Sequence, residues 1–436
     1  MRHLYLPAFT LVLASLPASS LSQTVLPGDG NTGVMQGFPP PPDRIVTRAN
    51  QLQPRNLRWS LDHMRMLQPT DAIRRGGGPA SPLSMGKPLT PPTFKDEDGT
   101  PVDFATWMRR THTTALVVLH KGRIVFEGYA AGVDPAGPHT IQSITKSFIG
   151  LAAAMLIDEG KIDPDAPLAR YVPELASSAW ADATIQQTLD MTAGVRYNED
   201  LKDPNSDVFR TYAFAAGHFT PPPGYDGPRH IYEMLQRLPR EGEHGAGFTY
   251  KTVHPEAIAW VVSRVTGQKP ARFISDRIWS RIGAEEDAYV TVDPAGTAMM
   301  GGGMSVTARD LARFGEMLRL EGRFNGQQVV PAAAVRDIFK GGDAEKFRAD
   351  PLRRSMVGYS YHDFWWKPPA PGVIRGLGGF GQHLYVNQTT GTVIVKFSSA
   401  DIGSPYDDAK RLDPLGFAAI DEALHGGGRT SRAARR

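Results

Sequence analysis

The chain has no cysteine in 436 residues. That removes disulfide scaffolds, thiol nucleophiles, Cys-ligated zinc and iron–sulfur clusters together. It also lacks a real surplus of either charge. The net charge is +3, and four arginines (Arg429, Arg432, Arg435 and Arg436) crowd the terminus. Without them the balance turns slightly negative, which leaves no basic face for nucleic acid. Long apolar runs are missing too. The stretch from Leu4 to Leu16 is interrupted by Pro7 and is too short to span a bilayer, so stable membrane insertion is not expected. There is no HExxH, and the 12 histidines form no tight group along the sequence. Neither a metal nor a cofactor is expected.

What remains is ordinary globular material, 41% hydrophobic and 21% charged, so wholesale disorder is excluded. Residues 1–22 have a short basic start, an apolar middle and small residues at Ala18, Ser19, Ser20 and Ser22. This is the layout of a cleavable signal peptide, and it predicts a periplasmic or secreted protein. Residues 23–100 form a Pro/Gly-rich extension, with FPPPPDR at 38–44 and RRGGGPASPL at 74–83. They are expected to drape over a core or link to it, with one short helix at 58–67.

Regular patterning begins at Thr114, where TALVVLHKGRIVFEGY predicts a hairpin turning at Lys121-Gly122. Helices are expected over 143–160, after Pro255 as far as Gly267, and from a capping box at Thr307–Asp310 to Gly322. Strands follow at 358–366, 381–388 and 392–399, then a closing helix at 416–425 and a disordered basic tail at 426–436. The expected fold is α/β of the α+β type, an antiparallel sheet flanked by helices. Residues 101–160 and 300–425 form its α/β lobe and 161–299 a mostly helical second lobe, with the site between them.

Ser143-Ile-Thr-Lys146 is the first chemical clue. Three residues apart on a helix, the amine can reach the hydroxyl and take its proton. Ser84-Met-Gly-Lys87 matches the same spacing, but in a loop. The helix behind Ser143 is apolar nearly all round and therefore buried on most sides. Burial and the positive end of the helix dipole both disfavour the ammonium, as a base requires. The bland alternative is a serine cap beside a lysine that snorkels to solvent.

Gly247-Phe248-Thr249-Tyr250-Lys251-Thr252 is the second clue: a tyrosine on a tight segment can present its hydroxyl to a cleft, or simply pack at a helix entrance. The third, Gly376-Leu-Gly378-Gly379-Phe380-Gly381-Gln382, matches G-x-G-x-x-G by letter, yet no strand–turn–helix unit surrounds it. Dinucleotide binding is rejected. Glycines opening a strand suit either an oxyanion hole or an ordinary turn.

Together the three resemble the serine β-lactamase and penicillin-binding protein superfamily in its class C β-lactamase-like branch. Within it, GFPPPPDR, SITKSFIG, MTAGVRYNEDLKDPNSD, HGAGFTYKT, GGGMSVTARDLARFG and GFGQ most resemble the 6-aminohexanoate-dimer (nylon-oligomer) hydrolases and related esterases. The resemblance implies Ser143 as the nucleophile that becomes acylated, Lys146 as its base and Tyr250 as the proton relay. It implies an oxyanion hole of the Ser143 and Gln382 backbone N–H groups. Tyr197, Phe380, Gly381 and Trp366 are then expected at the substrate, a small amide or ester. The chain would be a monomer or homodimer. It departs from the penicillin-recognising pattern in two places. Gly379-Phe380-Gly381 stands where Lys-Thr-Gly is usual, and Tyr250-Lys251-Thr252 where Tyr-x-Asn is usual. Both argue against β-lactamase or D-alanyl-D-alanine carboxypeptidase chemistry, which remains the rival reading beside a non-catalytic binding protein.

Overall fold

The computed structural model describes residues 24–28 and 33–426. The expected signal peptide, and the tail beyond Gly426, lie outside the described residues. One sheet of eight strands carries the molecule. In chain order these are β1 (Thr24–Leu26), β2 (Thr113–His120), β3 (Arg123–Ala130), β4 (Ser360–His362), β5 (Trp365–Lys367), β6 (Val373–Gly378), β7 (Gln382–Asn387) and β8 (Thr392–Ser398). Their spatial order is β1-β3-β2-β8-β7-β6-β5-β4. Every pairing is antiparallel except β1 on β3. The expected hairpin is β2–β3, turning at Lys121 and Gly122, both at positive φ.

Both faces of the sheet are covered, which is why β2 reads as a nearly unbroken apolar run. Ala115, Val117 and Leu119 join one core, while Leu116 and Val118 join the other. The first core holds helix α1 (Ile144–Asp158), buried without a break from Ile144 to Leu156, and helix α3 (Ala308–Arg319). Phe148 of α1 stacks on Phe314 of α3 with centroids 4.0 Å apart. Helix α2 (Val253–Thr266) packs across α1 and ends at Gly267, whose φ of 68° makes the left-handed cap. Helix α4 (Ser404–Gly426) covers the opposite face, with Phe417 edge-on to Trp107.

Four expectations were too coarse. The one short helix expected at 58–67 is two, Pro54–Asp62 and Met64–Leu67. The run 358–366 is two strands, because Asp363 and Phe364 both take positive φ and reverse the chain. The closing helix starts at 404 rather than 416 and carries Pro414 inside it. Asp413 holds that turn in place, accepting from Trp107 Nε1, Lys396 Nζ and His383 Nε2 at 2.7–3.0 Å. At α3 only half of the capping box forms. Thr307 Oγ1 accepts from Asp310 N–H, while the Asp310 carboxylate accepts from the Thr307 hydroxyl, the Glu285 and Glu286 N–H groups and Arg313.

A second sheet of four short strands positions the site. Its order is Thr70–Ile73, Ala288–Thr291, Met304–Val306, His139–Thr140. The extension thus supplies an edge strand to each of these sheets, at β1 and at Thr70–Ile73. Strand His139–Thr140 leads straight into Ile141, whose N–H bonds to Met304 O at 2.9 Å, and so into Ser143.

Candidate active site

Ser143 caps α1. It is preceded by Gln142 at φ 48°, a left-handed turn that a non-glycine residue adopts only under local constraint. Lys146 Nζ donates to Ser143 Oγ at 2.8 Å and also to the Gly301 carbonyl. Lys146 is fully buried, and burial pulls its amine down to about 8, against the Glu199 and Glu256 carboxylates, which raise it. At pH 7 about a tenth of such a group is the free amine, far more than for an exposed lysine.

Tyr250 stacks on Trp366 at 5.7 Å, meets Tyr361 edge-on, and lies with its ring centroid 5.2 Å from Lys146 Nζ. Burial raises its hydroxyl well above the ordinary range, while a hydrogen bond with Ser143 offsets part of that. Of the two groups beside Ser143, the lysine therefore loses its proton the more readily and the tyrosine keeps its own at neutral pH.

Sequence reasoning missed the two carboxylates beneath this pair. Glu256, on α2, accepts from Gly301 N–H at 2.8 Å, Met300 N–H at 2.9 Å and Tyr212 Oη at 2.7 Å. It thereby fixes the peptide whose carbonyl receives Lys146. Burial pushes Glu256 up to about 7. An acid on the same helical face as Val253 and Trp260 was a readable signal. Glu199 had none, sitting in a polar loop; it accepts from Thr252 Oγ1 at 2.5 Å and from Thr252 N–H, and burial raises it. Lys251 turns away to the Val195 carbonyl and Glu241.

A cavity of about 240 Å³ opens beside Ser143. Tyr197 and Phe380 line it, and the Tyr197 hydroxyl is buried with no hydrogen-bond partner among the described residues. Gly381, Trp366 and Gln382 do not line it. Gly381, at φ 88°, turns toward Ser398 and Ala409. Trp366 stands behind Tyr250. Gln382 is fully buried, its side chain bound to His139, Ser398 and Gly379. Gly379 lines the wall instead, and Gly378 crosses so close to Ile141 that a Cβ would overlap the Ile141 carbonyl. Met85 and Gly86 of the Ser84–Lys87 match pair with Ile124 on β3, among neighbours that include none of the cavity residues.

Among the described residues, one side-chain cluster outside the cavity has the makings of a cation site: Asp190, His362 and Asp363. Both nitrogens of His362 are already committed, to Asp190 at 2.8 Å and Asp337 at 3.0 Å. Burial opposes its charge, but Asp363, Asp190 and Asp337 outweigh that and raise it to about 11. The imidazolium itself supplies the positive charge that the carboxylates need.

A half-buried serine held by a buried lysine on this fold defines a class, the serine hydrolases of the β-lactamase type. Residues 101–415 match the Beta-lactamase family. The 6-aminohexanoate-dimer hydrolase of Paenarthrobacter ureafaciens is 36% identical over 345 residues, 78% of this chain and 85% of that protein. A Bacillus anthracis structure described as a 6-aminohexanoate-dimer hydrolase superposes with a TM-score of 0.81 at 30% identity, covering 88% of this chain and 98% of that one. Esterase EstB of Burkholderia gladioli is 27% identical over 161 residues, 35% of this chain and 39% of that protein. The chain belongs to the Beta-lactamase family, and it is a serine hydrolase of the amidase–esterase type.

Proposed function

We propose that this is an exported hydrolase of small linear amides or esters, acting through an acyl-enzyme on Ser143. The observation that carries the reading is the 2.8 Å contact between Ser143 Oγ and a fully buried lysine whose amine is held near 8. Ser143 Oγ attacks the carbonyl carbon and its proton passes to Lys146 Nζ. The oxyanion accepts from the Ser143 N–H, at the positive end of α1, and from an N–H of the Gly379–Phe380 turn. Lys146 returns the proton through Tyr250 to the leaving nitrogen or oxygen, and the C–N or C–O bond breaks. Water then adds to the acyl-enzyme by the reverse path and releases the acid. The leader-like composition of residues 1–22 supports export.

The likeness to the Paenarthrobacter ureafaciens 6-aminohexanoate-dimer hydrolase favours a linear amide, and the likeness to the esterase favours an ester. Benzylpenicillin tests the rival. The proposal expects no penicilloyl adduct on Ser143 by intact mass after prolonged incubation, with turnover of a small amide or ester unaffected. A stoichiometric penicilloyl adduct on Ser143 would instead make the chain a penicillin-interacting enzyme.

A further inference from the structure

Resting on that reading, we infer that the substrate carries no charge on the part held in the cavity: the site takes a neutral, apolar chain. The segment before residue 101, outside the family match, makes one wall of the cavity with Leu52 and Met64. Leu201, Phe209 and Phe219 line it as well, and Ile402 stands at its mouth. Leu52, Leu201 and Ile402 remain 43%, 41% and 42% exposed, an aliphatic rim that an apolar chain would cover.

The charges decide between neutral and ionic chains. Among the described residues, no lysine or arginine lines the cavity. Glu199 does, but both of its oxygens are taken by Thr252. His218 does too, but burial holds its ring down at about 4, uncharged at neutral pH, with Nδ1 against the Gln68 amide. Arg353 lies over the Trp366 ring beside Asp350, and Lys410, itself absent from the lining, lies over the Tyr406 ring beside Asp407. A carboxylate carried into this cavity away from Ser143 would shed its water, meet no lysine or arginine on the lining and face Glu199. A buried ion without a partner is penalised far more than a methyl group in the same place. An ammonium would fare better than a carboxylate, yet it would find only the spare lone pairs of Glu199.

Three acyl chains of equal length separate these cases: p-nitrophenyl hexanoate, p-nitrophenyl 6-aminohexanoate and the mono-p-nitrophenyl ester of adipic acid. In low salt at pH 8, kcat/KM for the hexanoate should exceed that for the adipate by at least about 100-fold, with the amino compound between. Leu52→Arg puts a guanidinium on the rim and should narrow that ratio at least about tenfold, by raising the adipate and lowering the hexanoate. Ile402→Arg gives a second, independently placed cation with the same expected direction. An adipate rate within about threefold of the hexanoate rate in the parent would overturn the inference, as would a ratio unmoved by both arginine variants. Ser143→Ala keeps the two readings apart. If it retains the parent rates, the hydrolase reading fails and the charge inference falls with it. If it abolishes release while the parent takes the adipate within about threefold of the hexanoate, the charge inference alone fails.

Discussion

In the proposed reaction Lys146 is the base, and its environment makes a signed prediction. The base must be neutral, so kcat/KM should rise with pH along a limb centred near 8, the value to which burial pulls the amine. Lys146→Ala should lower kcat/KM by about a thousandfold or more while the protein still melts cooperatively, as calorimetry would show. Glu256 raises the Lys146 amine, so Glu256→Gln should move the acid limb downward by a measurable fraction of a pH unit and reduce kcat. A Glu256→Gln profile superimposable on the parent would remove that carboxylate from the account. Tyr250→Phe should slow amide cleavage more than cleavage of an activated ester, whose leaving group needs little protonation. Equal losses on both would argue against Tyr250 as proton donor.

At the scale of elements, the turn between β4 and β5 locks α1 in place. Gly150 of α1 lies against the Asp363 carbonyl, where a Cβ would overlap it, and Ser147 Oγ donates to Phe364 O at 3.0 Å. Gly150→Ala should therefore cost roughly 1–3 kcal/mol, read as a lowered Tm. His362 ties the same turn to Asp190, just past the helix Ile185–Leu189, and to Asp337 in the helix Ala332–Lys340. Its folded value, near 11, lies above the unfolded 6.5. The stability it brings is full below about 6.5 and drains as pH rises toward 11. His362→Asn should cost roughly 3 kcal/mol at pH 6, and its Tm deficit should shrink by pH 10. The β2–β3 hairpin and the three helices α1, α2 and α3 were legible, because each has its own periodicity and its own stop signal. The positive-φ turn at Asp363–Phe364 and the start of α4 were not. Their conformations are set by partners distant in sequence, among them Leu189, Trp107 and Lys396.

Across the whole molecule, residues 33–100 prove integral to the fold. Thr70–Ile73 completes the second sheet, Ser81 O accepts both Nε and Nη2 of the buried Arg313, and Leu52 and Met64 wall the cavity. A chain beginning at residue 101 should show no cooperative melt by circular dichroism, since Arg313 would lose partners it cannot replace with water. A sharp melt within about 5 °C of the parent would contradict this. That Ser143, Lys146 and Tyr250 come together was legible in the sequence, because each sits at a helix start or tight segment with distinctive neighbours. Glu199 and the extension's share of the cavity could not, since loops carry no period and tertiary packing alone brings them in. The central claim, that Ser143 is the nucleophile, meets its most direct test in intact mass after a fluorophosphonate probe, followed by peptide mapping. The account predicts a single adduct on Ser143 in the parent and none in Lys146→Ala under the same exposure. An adduct on another serine, or none at all in the folded parent protein, would contradict it.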